Sequence, residues 1–143
     1  MRGCQAIPLG IMRYYAVATS AFHQRWFADG VHRAQLLQAP LISFNRKDKL
    51  QSLFLQHFGL QEDDCPRHFI PATSAYNQAI QLGLGWGMMP EIMLAPLPEN
   101  QLLKLSQHAV DVMLYWQHWK VQTPRLASLS TRLQQQAMRY LRQ

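Results

Sequence analysis

A chain of 143 residues with 48% hydrophobic content is long enough to bury a core and too apolar to be disordered. Its formal charge of +6 is spread over a sequence in which only 15% of residues are charged, so basicity alone does not make it a DNA-binding domain. No apolar run approaches a membrane span, the first residues MRGCQAIPLG lack a signal-peptide pattern, and Cys4 and Cys65 fit neither a disulfide framework nor a zinc ribbon; a cytoplasmic protein without membrane contact is expected.

Residues 14–19, YYAVAT, form an apolar, partly β-branched run without alternation, the pattern of a strand covered on both faces in a largely parallel sheet, preceded by an irregular segment. Phe22, Trp26 and Phe27 define one face of a short helix over 21–28, stopped by Asp29-Gly30. A second strand is expected over 41–44. Asp48 with Gln51 then matches a capping box for a helix whose face is Leu50, Leu53, Phe54, His57 and Phe58 and whose stop is Gly59. Residues 61–66 read as a polar acidic loop and 67–72 as a third extended run, after which Thr73 or Ser74 can cap the next helix.

That helix carries Tyr76, Ala79, Ile80 and Gly83 at helical spacing, and the period changes at Gly83, Gly85 and Gly87, which are expected to form the turn into a short buried strand, Trp86, Met88 and Met89. Pro90 cannot donate to a ladder and ends it. Residues 102–105 read as a short strand. A separate long strand over 110–121 places Val110, Val112, Leu114 and Trp116 on one face. Thr123-Pro124 starts a final helix with an apolar stripe of Leu126, Leu129, Leu133, Ala137, Tyr140 and Leu141. Arg125, Arg132 and Arg139 recur on another face, which solubility alone explains. The alternation of strands and helices describes an α/β domain.

The catalytic motifs fail. Gly83-x-Gly85 begins like a dinucleotide fingerprint, but Met88 occupies the third glycine position and a strand follows where a helix is required. The six histidines show no ligand spacing, no G-x-S-x-G elbow exists, and the Glu62, Asp63, Asp64 run is a solvated loop, so neither an enzyme, a metal nor a cofactor is expected. What remains are strand-to-helix junctions: Thr19, Asn45 to Asp48, and Pro71 to Ser74. Carboxyl ends of strands and free helix N–H groups there suit a small molecule carrying a carboxylate or other anion. Asp48, Thr73 and Ser74 are equally suited to capping their own helices, and residue type leaves both roles open.

Residues 79–90, AIQLGLGWGMMP, resemble a signature of the effector domain of LysR-type transcriptional regulators, and residues 15–19 followed by Phe22 resemble its crossover strand. Residues 44–48, FNRKD, and 71–74, PATS, are similar to the ArgP-like branch, which responds to lysine and arginine. The resemblance implies a periplasmic-binding-protein-like (type 2) fold, with residues 1–14 a remnant of the first subdomain and crossover, 15–108 the second subdomain, and 109–143 the crossover strand and helix returning to an incomplete first subdomain. It implies a lysine or arginine effector in a cleft near Thr19, Asn45, Asp48, Thr73, Ser74 and Trp86, with helix N-termini for the carboxylate and Asp48 or Glu91 for the side-chain charge. It also implies a homo-oligomer, and DNA contact only through a helix-turn-helix domain absent from this chain. An amino-acid-binding or transport component with the same fold and no role in transcription is the alternative, disfavoured by the missing signal peptide.

Overall fold

The computed structural model describes residues 3–120 and 123–143, so the expected strand end at Val121 lies outside the described residues. The elements in order are β1 (Cys4–Ala18), α1 (Ser20–Phe27), α2 (Arg33–Leu36), β2 (Leu41–Ser43), α3 (Leu50–Leu55), β3 (Arg67–Phe69), α4 (Thr73–Gln81), β4 (Gly87–Pro90), α5 (Glu91–Leu94), β5 (Leu103–Trp119) and α6 (Pro124–Tyr140). Two compact units emerge: Tyr14–Val110, and Met1–Arg13 with Asp111–Gln143.

In the larger unit β2 and β3 pair in parallel, and a parallel bridge from Leu41 to Trp86 joins them to the start of β4. Two backbone bonds hold that bridge, Ile42 N–H to the Trp86 carbonyl at 2.8 Å and Trp86 N–H to the Pro40 carbonyl at 3.1 Å. β1 then pairs with β4 antiparallel, with Tyr14 opposite Pro90 and Val17 opposite Gly87. The expectation of a largely parallel sheet therefore fails at β1. Its apolar run reflects burial on both faces, which an antiparallel strand inside a covered sheet shares, so the run reports burial and not pairing direction.

The core of this unit gathers Val17, Ile42, Tyr76, Ala79, Ile80 and Met89 from β1, β2, α4 and β4. Phe54 of α3 lies against Trp86, their ring centroids 5.5 Å apart. Of the three glycines between α4 and β4 only Gly83 has a positive φ, 78°, so it alone makes the turn. Gly87 is needed for proximity: a Cβ there would stand 2.6 Å from Ile80 Cδ1 and 2.7 Å from the Tyr76 hydroxyl.

The capping box expected at Asp48 and Gln51 does not form. Asp48 takes the Leu50 N–H at 3.2 Å, whereas Gln51 is buried and donates to the Ile42 carbonyl and the Tyr76 hydroxyl, each at 3.0 Å. The Tyr76 hydroxyl in turn accepts from Met88 N–H at 2.8 Å and donates to the Met88 carbonyl at 3.0 Å. One polar network thus ties α3 and α4 to β2 and β4 inside an apolar core, where each group left unbonded would be costly. A capping box does form beyond α3, where Gln61 and Asp64 bracket a 3₁₀ turn over Glu62–Asp64 within the expected loop 61–66.

In the smaller unit the Thr123 side chain accepts from Leu126 N–H at 3.2 Å, and Pro124 follows at the first helical position, as expected. Trp116 Nε1 of β5 donates to Ser130 Oγ of α6 at 2.7 Å, and Ile11 and Arg142 exchange backbone bonds of 2.6 and 3.0 Å. Val112, Leu114 and Trp116 are half-buried in alternation with exposed Asp111, Met113 and Tyr115. The two strands expected over 102–105 and 110–121 are one continuous β5, because the polar stretch between them stays extended; likewise β1 starts at Cys4, well before residue 14.

Candidate functional site

β2, the Trp86 bridge into β4, and β3 all run the same way, so their carboxyl ends meet at one edge of the larger unit's sheet. Antiparallel β1 brings Tyr14, the first residue of its stretch paired with β4, to that edge. The residues that follow β2, β3 and β4 therefore share the edge: the 44–48 loop, the 70–74 junction, and Glu91 at the start of α5.

The 44–48 loop is held by its own side chains. Asn45 Oδ1 accepts from Lys47 N–H at 2.8 Å and Asp48 N–H at 3.0 Å, and Asp48 Oδ2 accepts from Phe44 N–H at 3.3 Å. Asp48 is half-buried and spends one oxygen on each of two N–H groups, leaving lone pairs for a further donor. Its charge reaches inward: burial first, and then the Asp48 carboxylate, raise the pKa of Tyr14.

Thr73 and Ser74 are exposed and occupy the first two positions of α4, with Ala72 as a cap that supplies no side-chain bond. The expected capping by Thr73 or Ser74 is thus absent. No acidic residue stands in the first turn, so the N–H groups and partial positive charge at this helix start are left for another acceptor.

Two expected site residues do not join the others. Thr19 caps α1, its Oγ1 accepting from Phe22 N–H at 3.1 Å, and it follows the carboxyl end of a strand that runs antiparallel to β4, which puts it at the opposite edge of the sheet. Trp86 is 0% exposed against Phe54, and its bridge to Leu41, the first residue of β2, puts it at the amino end of β4, away from the shared edge. Sequence reasoning missed Tyr14, taken only as a strand residue, and the Gln51–Tyr76 pair. The signal for the pair was a glutamine on the same helical face as Phe54 and Leu55.

The signature stretch sits in this arrangement as the backbone that carries α4 into β4, and residues 1–138 match the LysR substrate binding domain. The chain belongs to that family. LysG of Mycobacterium tuberculosis, an HTH-type transcriptional regulator, is 39% identical over 129 residues, covering 90% of this chain and 43% of the relative. ArgP of Pseudomonas fluorescens is 36% identical over 120 residues, covering 82% of this chain and 40% of that protein. Among solved structures, ArgP of Mycobacterium tuberculosis superposes with a TM-score of 0.89 at 37% identity, over 98% of this chain and 49% of its own. Full-length LysG of Corynebacterium glutamicum, solved with bound effector Arg, superposes with a TM-score of 0.85 at 30% identity, over 100% of this chain and 49% of its own. The chain thus spans less than half the length of these LysR-type relatives, and its α/β fold is that of their effector domains, of the periplasmic-binding-protein-like type 2 kind.

Proposed function

We propose that this chain is the effector-sensing part of a LysR-type regulator that responds to arginine or lysine, and that it acts by binding rather than by turnover. The observation that carries this is the match, over its whole length, to a LysG solved with bound effector Arg. Residues 14–110 serve as the second effector subdomain, and the smaller unit belongs to the first. The start of α4, with the N–H groups and hydroxyls of Thr73 and Ser74, receives the effector's α-carboxylate. Asp48 receives the cationic side chain, and Asn45 fixes the loop that presents it. Thr19 and Trp86 have no ligand contact. The regulator works in the cytoplasm as a homo-oligomer, and DNA is contacted by a helix-turn-helix domain of the longer protein.

Isothermal titration with L-arginine, L-lysine and L-citrulline tests this reading, because citrulline keeps the shape of arginine and removes its charge. Arginine should bind at least about tenfold more tightly than citrulline, the worth of one charge-assisted hydrogen bond, and Asp48→Asn should erase that preference. Equal affinity for the two ligands, or a preference unchanged by Asp48→Asn, would refute the assignment.

A further inference from the structure

A concavity of the larger unit, about 450 Å³, is lined by Arg46, Lys49, Ser52, Glu62, Asp63 and Arg67 together with Gln56, Leu60 and Gln61. None of Asn45, Asp48, Thr73 or Ser74 lines it. The volume lies within the roughly 300–1,000 Å³ of small-molecule sites. Its charges are only partly paired. Arg67 Nη2 and Asp63 Oδ1 are 2.6 Å apart, and the Arg67 guanidinium also rests over the Phe69 ring at 5.0 Å, so this pair satisfies itself. Arg46 lies over the same ring at 5.4 Å, and neither it nor Lys49 has an ion-pair partner among the described residues.

Glu62 presents the opposite deficit. It is 8% exposed; its Oε2 accepts from Ser52 Oγ at 2.7 Å, while its Oε1 is buried and has no hydrogen-bond partner among the described residues. A buried carboxylate oxygen without a donor is costly, so Glu62 is short of an N–H or O–H. Arg46 and Lys49 are exposed, and two anionic groups would complement them while an ammonium supplies the donor at Glu62.

We propose that this concavity is a binding site for an α-amino dicarboxylic acid of the aspartate or glutamate type. One carboxylate faces Arg46, the other Lys49, and the ammonium turns to Glu62. The site would give this lobe a second amino-acid input, opposite in charge to the effector at Asp48. Arg46 sits in the loop that also carries Asn45 and Asp48, but Ser52 and Glu62 lie outside the effector site, so shifts there and the Glu62→Gln variant report this site alone.

The test is NMR titration of the full chain with L-glutamate, L-aspartate, succinate and inorganic phosphate, read at the backbone amides of Lys49, Ser52 and Glu62. Succinate lacks the ammonium and phosphate lacks the span. Glutamate or aspartate should shift these amides saturably, at least about tenfold more tightly than succinate. Lys49→Gln, at an exposed position that leaves the fold intact, should weaken both amino acids and succinate. Glu62→Gln should weaken the amino acids alone. Absence of saturable shifts at these amides, equal binding of succinate or phosphate, or amino-acid binding unaffected by both variants would overturn the proposal.

Discussion

Arg13 and Asp111, 98 positions apart, form a two-pronged ion pair: Nε to Oδ1 at 2.7 Å and Nη2 to Oδ2 at 2.9 Å. Each is the residue at which its strand, β1 or β5, changes from one compact unit to the other, since Tyr14 and Val110 bound the larger unit. The fork geometry fixes both side chains. With side-chain exposures of 30% and 40%, however, the pair is open to solvent, and its stabilisation is only about 0.2–1 kcal/mol.

The pair sets a pH dependence. The hydrogen bond from Arg13 holds the Asp111 carboxyl below the ordinary carboxylate range, against a smaller opposing effect of burial. A group with a depressed folded-state pKa contributes stability that is present above its unfolded value, about 3.9, and lost as pH falls through the folded one. Urea midpoints of the wild type should exceed those of Asp111→Asn by a constant small margin from neutral pH down to about pH 5, and the margin should close below about pH 4. A margin that grows on acidification would contradict the pairing.

Tyr76 is the centre of the buried network, and burial drives its pKa well above the ordinary phenol value. Tyr76→Phe keeps the ring and leaves the Met88 N–H and carbonyl without their hydroxyl partner. Each buried orphan costs about 1–3 kcal/mol, so a loss of roughly 2–4 kcal/mol in chemical denaturation is expected. A loss below about 0.5 kcal/mol, the range of ordinary surface changes, would mean that the network does not stabilise the fold.

Gly83→Ala and Gly87→Ala separate two reasons for a glycine. At Gly83 the nearest atom to a new Cβ, Thr19 Oγ1, is 3.4 Å away, so only the backbone conformation resists, at about 1 kcal/mol. At Gly87 the Cβ meets Ile80 and the Tyr76 hydroxyl, and overpacking of this kind costs about 1–3 kcal/mol. Gly87→Ala should therefore lower Tm further than Gly83→Ala; the reverse order would place the close approach wrongly.

Burial first, then the Asp64 and Glu62 carboxylates, push the Cys65 thiol up to about 11, with Arg67 opposing. At pH 8 iodoacetamide should leave folded Cys65 unmodified and label it readily in urea, as followed by mass spectrometry. The raised value stabilises the fold fully below the unfolded thiol pKa, about 8.5, and this contribution disappears as pH rises through the folded value. Fast labelling of the folded chain would contradict the burial.

Much of the fold was legible because its signals are local. Thr123-Pro124 started α6 as read, and the period change at Gly83 marked the passage from α4 to β4. The errors are non-local. Whether β1 pairs parallel or antiparallel depends on a partner 70 or more residues away, and that direction removed Thr19 from the site. The capping box at Asp48 and Gln51 had the right residues, but Tyr76 offered Gln51 a buried partner that no window around residue 51 contains. At the candidate site, Asp48, Asn45, Thr73 and Ser74 were readable as junction residues, whereas the depth of Trp86 was decided by Phe54.

An amide NMR titration of the chain with L-arginine decides whether Asp48 and the start of α4 hold the effector. Saturable shifts are expected at Thr73, Ser74 and Ala75 and across residues 45–48, lost in Asp48→Asn. Shifts confined to the Thr19 edge or to the Lys49–Glu62 concavity, or none at saturating arginine, would contradict that placement.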